Sequence, residues 1–331
     1  MSPGMRVGLV LGAGGVVGQA YHSGVLAALE HDLGWDPRTA DVVVGTSAGA
    51  ITGMLLRSGV PASELAAWTV KAPLSSEGQL LAQLVGDDIP EFDPFDVREV
   101  VRRRPSLPGR AMLTQAALRP WNFRPIAASM ALLAPGTRDI ADQLDALRQI
   151  EDHDWPDRDL WVCAVRRRDG RRVVFGREGA PDAPLHAAIA ASCAVPGYFS
   201  PVRIGPRSYV DGGAHSPTNA AVLRDRPLDL VIVISPMSGP SGVVPTDLWS
   251  GSRWHSARLV RREIGALRRA GTPVVAFHPD RDVQEAMGND FMARDRVEDI
   301  VQQAFLATGV QAARERTRQQ LERLDGRRRV A

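Results

Sequence analysis

Residues 42–57 constrain the fold of this chain more than any other stretch. Val42-Val43-Val44 is a short β-branched run. It leads directly into Gly45-Thr46-Ser47-Ala48-Gly49, and Ala50-Ile51-Thr52-Gly53-Met54-Leu55-Leu56 continues with helical character. A strand, a G-x-S-x-G turn and a helix in that order form the context of a nucleophile elbow. The turn is so sharp that side chains flanking the serine collide, and Gly45 and Gly49 remove them. Ser47 is then presented near a helix N-terminus, where backbone N–H groups and the helix dipole favour developing negative charge. The bland reading of the same residues is an ordinary Gly-rich turn, which a chain with 31 glycines also provides.

The flanking pattern is that of an α/β protein. Val7–Leu11 is expected as a buried strand and Gly18–Glu30 as a helix with Val25, Leu26 and Leu29 on one face. Asp41–Val44 and Ala48–Arg57 follow as strand and helix. This alternation predicts a parallel sheet covered by helices. Residues from about 60 to 155 differ, with many prolines, Arg102-Arg103-Arg104 and short helical patterns at Ala62–Val70, Gln79–Val85, Asp96–Arg103, Ala127–Leu133 and Arg138–Ile150. They read as a helical insertion that shapes a site, or equally as a plain peripheral layer. Strands resume at Leu160–Arg166, Arg172–Phe175, Ser208–Val210, Leu228–Ile234 and Val274–Phe277, with helices at Leu185–Ala191, Trp254–Arg269 and Val297–Leu324. The organisation expected is one domain over 1–331, with a core at about 6–235, the insertion at about 60–155 and a C-terminal helical extension at about 253–325.

Composition excludes several classes. A net charge of +2 over 331 residues implies no nucleic-acid field. Lys71 is the only lysine, so the basic side chains are nearly all Arg, which reads as composition bias rather than phosphate chemistry. Cys163 and Cys193 are too few for a disulfide framework and show no metal-ligand spacing, so neither metal nor cofactor is expected. Arg6 and the apolar Val7–Val17 stretch look superficially like a signal peptide, but the stretch is Gly-rich and lacks a small-residue cleavage site. No run of 18 apolar residues occurs. A cytoplasmic location follows as the expectation, with peripheral membrane contact added to it. The terminal Arg327-Arg328-Arg329 reads as a solvated tail.

The turn Gly12-Ala13-Gly14-Gly15 is not a dinucleotide fingerprint. From Gly12 that pattern requires Gly at 17 and meets Val17, and the second strand does not end in an acid. No Gly-Lys-Ser/Thr of a P-loop occurs. A Gly-rich turn between strand and helix instead offers free N–H groups to an oxyanion, and Gly14 and Gly15 supply such donors without obstruction. Asp211-Gly212-Gly213 closes a late strand; alone, Asp211 reads as a capping or turn residue.

The three motifs in this order, with Ala191-Ser192-Cys193-Ala194-Val195-Pro196-Gly197-Tyr198-Phe199-Ser200-Pro201-Val202 between the last two, resemble the patatin-like phospholipase family over roughly Arg6 to Asn219. The resemblance implies a three-layer α/β/α sandwich with a mostly parallel central sheet. It implies a serine lipid acyl hydrolase with Ser47 as nucleophile, Asp211 as base in a Ser–Asp dyad, and Gly14 and Gly15 in the oxyanion hole. Gly18, Gly45, Gly49, Gly212 and Gly213 are then turn and elbow supports, and the partner is a lipid or acyl-ester substrate. The family turn usually has glycine where Ala13 stands and a basic residue where Val17 stands, so a relaxed head-group requirement is expected, with Val17 partly exposed at the turn. Alternatives are an esterase or thioesterase on the same fold, a catalytically silent lipid-binding scaffold, and a triad completed by His278. His215 reads as a turn residue.

Overall fold

A computed structural model describes residues 5–76, 78–79, 102, 104–105, 112–114, 117, 125–140, 144, 155–239 and 248–325. In chain order its elements are β1 (Val7–Leu11), α1 (Gly15–Leu33), β2 (Val42–Gly45), α2 (Ala48–Arg57), α3 (Ala62–Thr69), α4 (Pro125–Leu132), β3 (Asp159–Arg166), β4 (Arg171–Phe175), α5 (Leu185–Cys193), β5 (Val202–Ile204) and β6 (Arg207–Asp211). The chain continues through β7 (Leu230–Ile234), α6 (Leu248–Arg269), β8 (Val274–Phe277), α7 (Arg281–Met287), α8 (Val297–Ala312) and α9 (Glu315–Asp325). The strands form one sheet in the order β5-β6-β3-β2-β1-β7-β8, with β4 also paired to β3. Neighbours from β3 through β2, β1 and β7 to β8 are parallel, and β4, β5 and β6 join antiparallel.

Both faces of the central strands are apolar, as a parallel sheet covered on two sides requires. Alternate side chains separate into two cores. Val7, Leu9 and Leu11 of β1 and Leu230, Ile232 and Ile234 of β7 pack with α1, α2, α5 and α8. Val10, Val42, Val44, Val231 and Val233 pack on the other face with Val260, Ile264 and Leu267 of α6. The three-layer sandwich follows directly from that alternation.

The sequence missed β5 and α7. β5 has three residues, too few for a periodic signal. α7 is seven residues long and begins where Asp280 caps the Val283 N–H at 3.1 Å. The single long helix expected over Val297–Leu324 is instead two, α8 and α9. Ile300, Val301, Ala304 and Gln311 of α8 are buried, as are Leu321 and Leu324 of α9. Ten residues of straight helix would rotate Leu321 by about 80° from the Gln311 direction; the break returns it to the core. The expected helices Gln79–Val85, Asp96–Arg103 and Arg138–Ile150 and the terminal arginines lie largely or wholly outside the described residues.

Candidate active site

The register of the sheet brings the elbow and the aspartate to one level. Gly45 of β2 pairs with Val162 of β3. Ala164, two residues further along β3, pairs with Asp211, the last residue of β6. Asp211 therefore stands across β3 at the height Ser47 reaches two residues beyond Gly45. The Ser47 hydroxyl faces the Asp211 carboxylate and favours its charged form. Both side chains are buried, and Asp211 Oδ1 also accepts from the Gly213 N–H at 2.6 Å. Burial pushes the Asp211 carboxyl up to about 6; the Gly213 bond and the Ser47 hydroxyl pull the other way and limit the rise.

Ser47 has φ 54° and ψ −124°, on the left-handed side that a residue with a Cβ avoids. Such a backbone costs about 1–3 kcal/mol and persists only where its surroundings impose it. The surroundings do so in three ways. A Cβ on Gly49 would strike the carbonyl of Leu11, so the first turn of α2 lies directly on β1. The Ser47 N–H donates to Ser192 Oγ at 2.9 Å, and Ser192 Oγ donates to the Cys163 carbonyl of β3 at 2.7 Å. Thr46 is held from both ends: its N–H donates to the Leu11 carbonyl at 3.0 Å and its Oγ1 accepts from Asn219 Nδ2 at 3.1 Å.

The Gly-rich turn follows β1, the neighbour of β2, and so adjoins the elbow. The Gly12 and Ala13 N–H groups are used structurally, donating to Ile234 O at 2.9 Å and Pro217 O at 2.7 Å. The N–H groups of Gly14, Gly15 and Val16, at the start of α1, have no acceptor among the described residues. Neither has the N–H of Ala48, the residue after Ser47. Gly15 has φ +62°, and a Cβ there would also strike the Phe291 carbonyl. Ala13 therefore takes no donor away from the turn, because its N–H is already bonded.

The expectation for Val17 needs correction. Its side chain is 1% exposed in the main core, and its N–H donates to Phe291 O at 3.3 Å. Helical phase turns position 17 inward, away from any head group. Gly18 packs against Pro236, and the backbone at Gly212 is so close to the Cys163 carbonyl that a Cβ would collide.

His278 is not brought to the site. It directly follows β8, three strands from β2, roughly 14 Å away at strand spacing. Its backbone bonds Gln311 of α8 on both sides, at 3.4 and 3.1 Å. Burial, with Arg314 and Arg261 nearby, lowers its pKa. His215 follows the Gly212–Ala214 turn, with its N–H on the Gly212 carbonyl at 3.0 Å.

The sequence did not point to Ser192, Cys193, Asn219 or the Ala48 N–H as parts of the site. The Cys193 thiol reaches the Ser47 hydroxyl, and burial together with the Asp211 charge raises its pKa well above the thiol range, so it stays protonated. Ser192 and Cys193 were within the quoted family-like segment, which was the only available signal.

A nucleophile elbow on a three-layer α/β/α sheet, with an aspartate at the elbow serine and a glycine turn beside it, defines the general class. The model of the patatin-like phospholipase family matches residues 9–224 of the 331, and the chain belongs to that family of lipid acyl hydrolases. No curated protein matches the chain. Among solved structures, VipD from Legionella pneumophila is similar at 11% identity and a TM-score of 0.40, over 92% of this chain and 67% of that one. The type III effector protein ExoU is similar at 18% identity and a TM-score of 0.37, over 97% of this chain and 54% of that one, so this chain spans about half of ExoU.

Proposed function

We propose that the protein is a serine lipid acyl hydrolase working through a Ser47–Asp211 dyad. The observation that carries the reading is the sheet register that brings the Ser47 hydroxyl to a buried carboxylate whose pKa is raised to about 6. An ordinary aspartate is a weak base towards a hydroxyl, and raising its pKa improves the match. Ser47 Oγ attacks the ester carbonyl as Asp211 takes its proton. The tetrahedral oxyanion is met by the unbonded N–H groups of Gly14 and Gly15, one such donor being worth about 3–4 kcal/mol. The C–O bond to the leaving alcohol breaks as Asp211 returns the proton to it. Water, deprotonated by Asp211, then cleaves the acyl-Ser47 ester, and the free acid leaves with Ser47 restored.

The proposal extends to organisation. Ile300, Val301 and Ala304 of α8 share one core with Val25 and Leu26 of α1, which supports a single catalytic domain in which the C-terminal helices belong to the same unit. No helix among the described residues is long and apolar enough to cross a membrane. Contact with a lipid surface in this account serves delivery of the ester.

The test is a hydrolysis screen over short-chain esters, lysophospholipids, phospholipids and acyl-CoA, with Ser47→Ala as the blank. Ester cleavage lost in the variant supports the reading. Equal turnover in both proteins, or none on any substrate, contradicts it.

A further inference from the structure

α6 reaches the surroundings of the site from outside the residues matched by the family, and one of its side chains bonds the loop after Asp211. Glu263 is on its buried side, with its side chain 11% exposed. Its Oε2 accepts from Thr218 Oγ1 at 2.7 Å and from the Ala220 N–H at 3.0 Å. The Ser216 hydroxyl also faces this carboxylate and favours its charged form. Arg172 of β4 stands 3.9 Å from Oε1 and donates to Asn219 Oδ1 at 3.3 Å. A carboxylate suits this position: it offers acceptors on two oxygens, and the buried charge faces a guanidinium.

The residues it gathers form the loop after Asp211, and that loop touches every catalytic motif. The Pro217 carbonyl accepts the Ala13 N–H at 2.7 Å, at the root of the Gly-rich turn. Asn219 Nδ2 donates to Thr46 Oγ1, beside Ser47, at 3.1 Å and to the Gly212 carbonyl, beside Asp211, at 3.2 Å. Asn219 itself has φ 52°, a left-handed backbone that the loop must hold in place.

We propose that Glu263 is a positioning residue for the hydrolytic site, setting the 216–220 loop that holds the Gly-rich turn, the elbow and the aspartate in mutual register. The inference rests on the dyad reading for its kinetic consequence and on geometry alone for its structural one. Glu263→Gln keeps the shape but replaces one acceptor oxygen with a donor amide. The loop loosens, and the nucleophile and its donors lose alignment while substrate binding is little affected.

The experiment compares wild type, Glu263→Gln and Val260→Ala. Val260 is a core residue about one turn earlier on α6, in the same apolar cluster as Ala220, so its truncation loosens the packing of α6 without removing a polar bond to the loop. Three quantities are measured: kcat and KM on an ester, the rate of fluorophosphonate labelling of Ser47, and amide exchange at Gly12 and Ala13. These two amides are neighbours, but Gly12 bonds the sheet and Ala13 bonds the loop. In Glu263→Gln, kcat and the labelling rate fall roughly tenfold, the loss expected for one bond to a charged group. KM stays within about twofold, and exchange rises at Ala13 and not at Gly12. Thr218→Val, which removes a bond from the other end, reproduces the pattern if Glu263→Gln does not fold. Unchanged exchange, or acceleration of both amides alike in Glu263→Gln and Val260→Ala, overturns the proposal. If wild type neither hydrolyses nor labels, the dyad reading has failed, and Ala13 against Gly12 still decides whether Glu263 sets the loop.

Discussion

Ser192 Oγ holds Ser47 by its backbone: it accepts from the Ser47 N–H at 2.9 Å and donates its own O–H to the Cys163 carbonyl at 2.7 Å. A side chain from α5 thereby fixes the strained elbow to β3. Ser192→Ala leaves a buried N–H and a buried carbonyl without partners, each costing about 1–3 kcal/mol. Urea unfolding should show a loss of about 2–6 kcal/mol for the two groups together, and kcat should fall at least about tenfold as the elbow relaxes. Wild-type stability and turnover together would remove Ser192 from this role.

Asp211 gives the enzyme a pH signature. With its carboxyl at about 6, kcat/KM should rise through pH 6 and level off above 7. Stability runs the other way for this group. Its folded pKa lies above the ordinary value of 3.8, so its contribution is full below about pH 4 and is lost as pH rises through 6. Asp211→Asn should therefore be more stable than wild type at pH 7–8, by about 1–3 kcal/mol, with the difference gone near pH 4. His22 opposes it: burial lowers its pKa from 6.5 to about 3, so its contribution is full above 6.5 and is lost as pH falls. The His22 displacement is the larger, so between these two groups acid destabilises the wild type. Urea midpoints of both proteins from pH 4 to 8 check this, and a pH-independent difference contradicts it.

Position 17 tests the corrected geometry. Arg in place of Val17 would bury an unpaired charge in the main core, at a cost of roughly 3–5 kcal/mol. Val17→Arg should unfold at much lower urea or fail to fold. A stable variant with increased preference for anionic phospholipid would restore the idea that position 17 faces the head group.

The sequence carried the sheet and the two residues that the sheet brings together, Ser47 and Asp211, because both rest on local signals. Val7–Leu11, Val274–Phe277 and Ala48–Arg57 have the same limits in the structure as in the sequence reading, since apolar runs bounded by glycine or turn residues set them. Ser47 and Asp211 were legible because an elbow and an Asp-Gly-Gly turn need particular residues at particular spacing. Val17 was misjudged because a motif gives order and not helical phase. Ser192, Asn219 and Glu263 were illegible for another reason: each acts through partners 145, 173 and 45 residues away. A polar side chain read in sequence gives no sign of which distant group it bonds.

Covalent labelling tests the central claim most directly. Wild type, Asp211→Asn and His278→Ala are each treated with a fluorophosphonate, and the rate and site of the adduct are read by mass spectrometry. The dyad account predicts a single adduct on Ser47, labelling slower by orders of magnitude in Asp211→Asn, and a wild-type rate in His278→Ala, whose ring stands three strands away. An adduct on another residue, an unchanged rate in Asp211→Asn, or a loss in His278→Ala as deep as that in Asp211→Asn would contradict it.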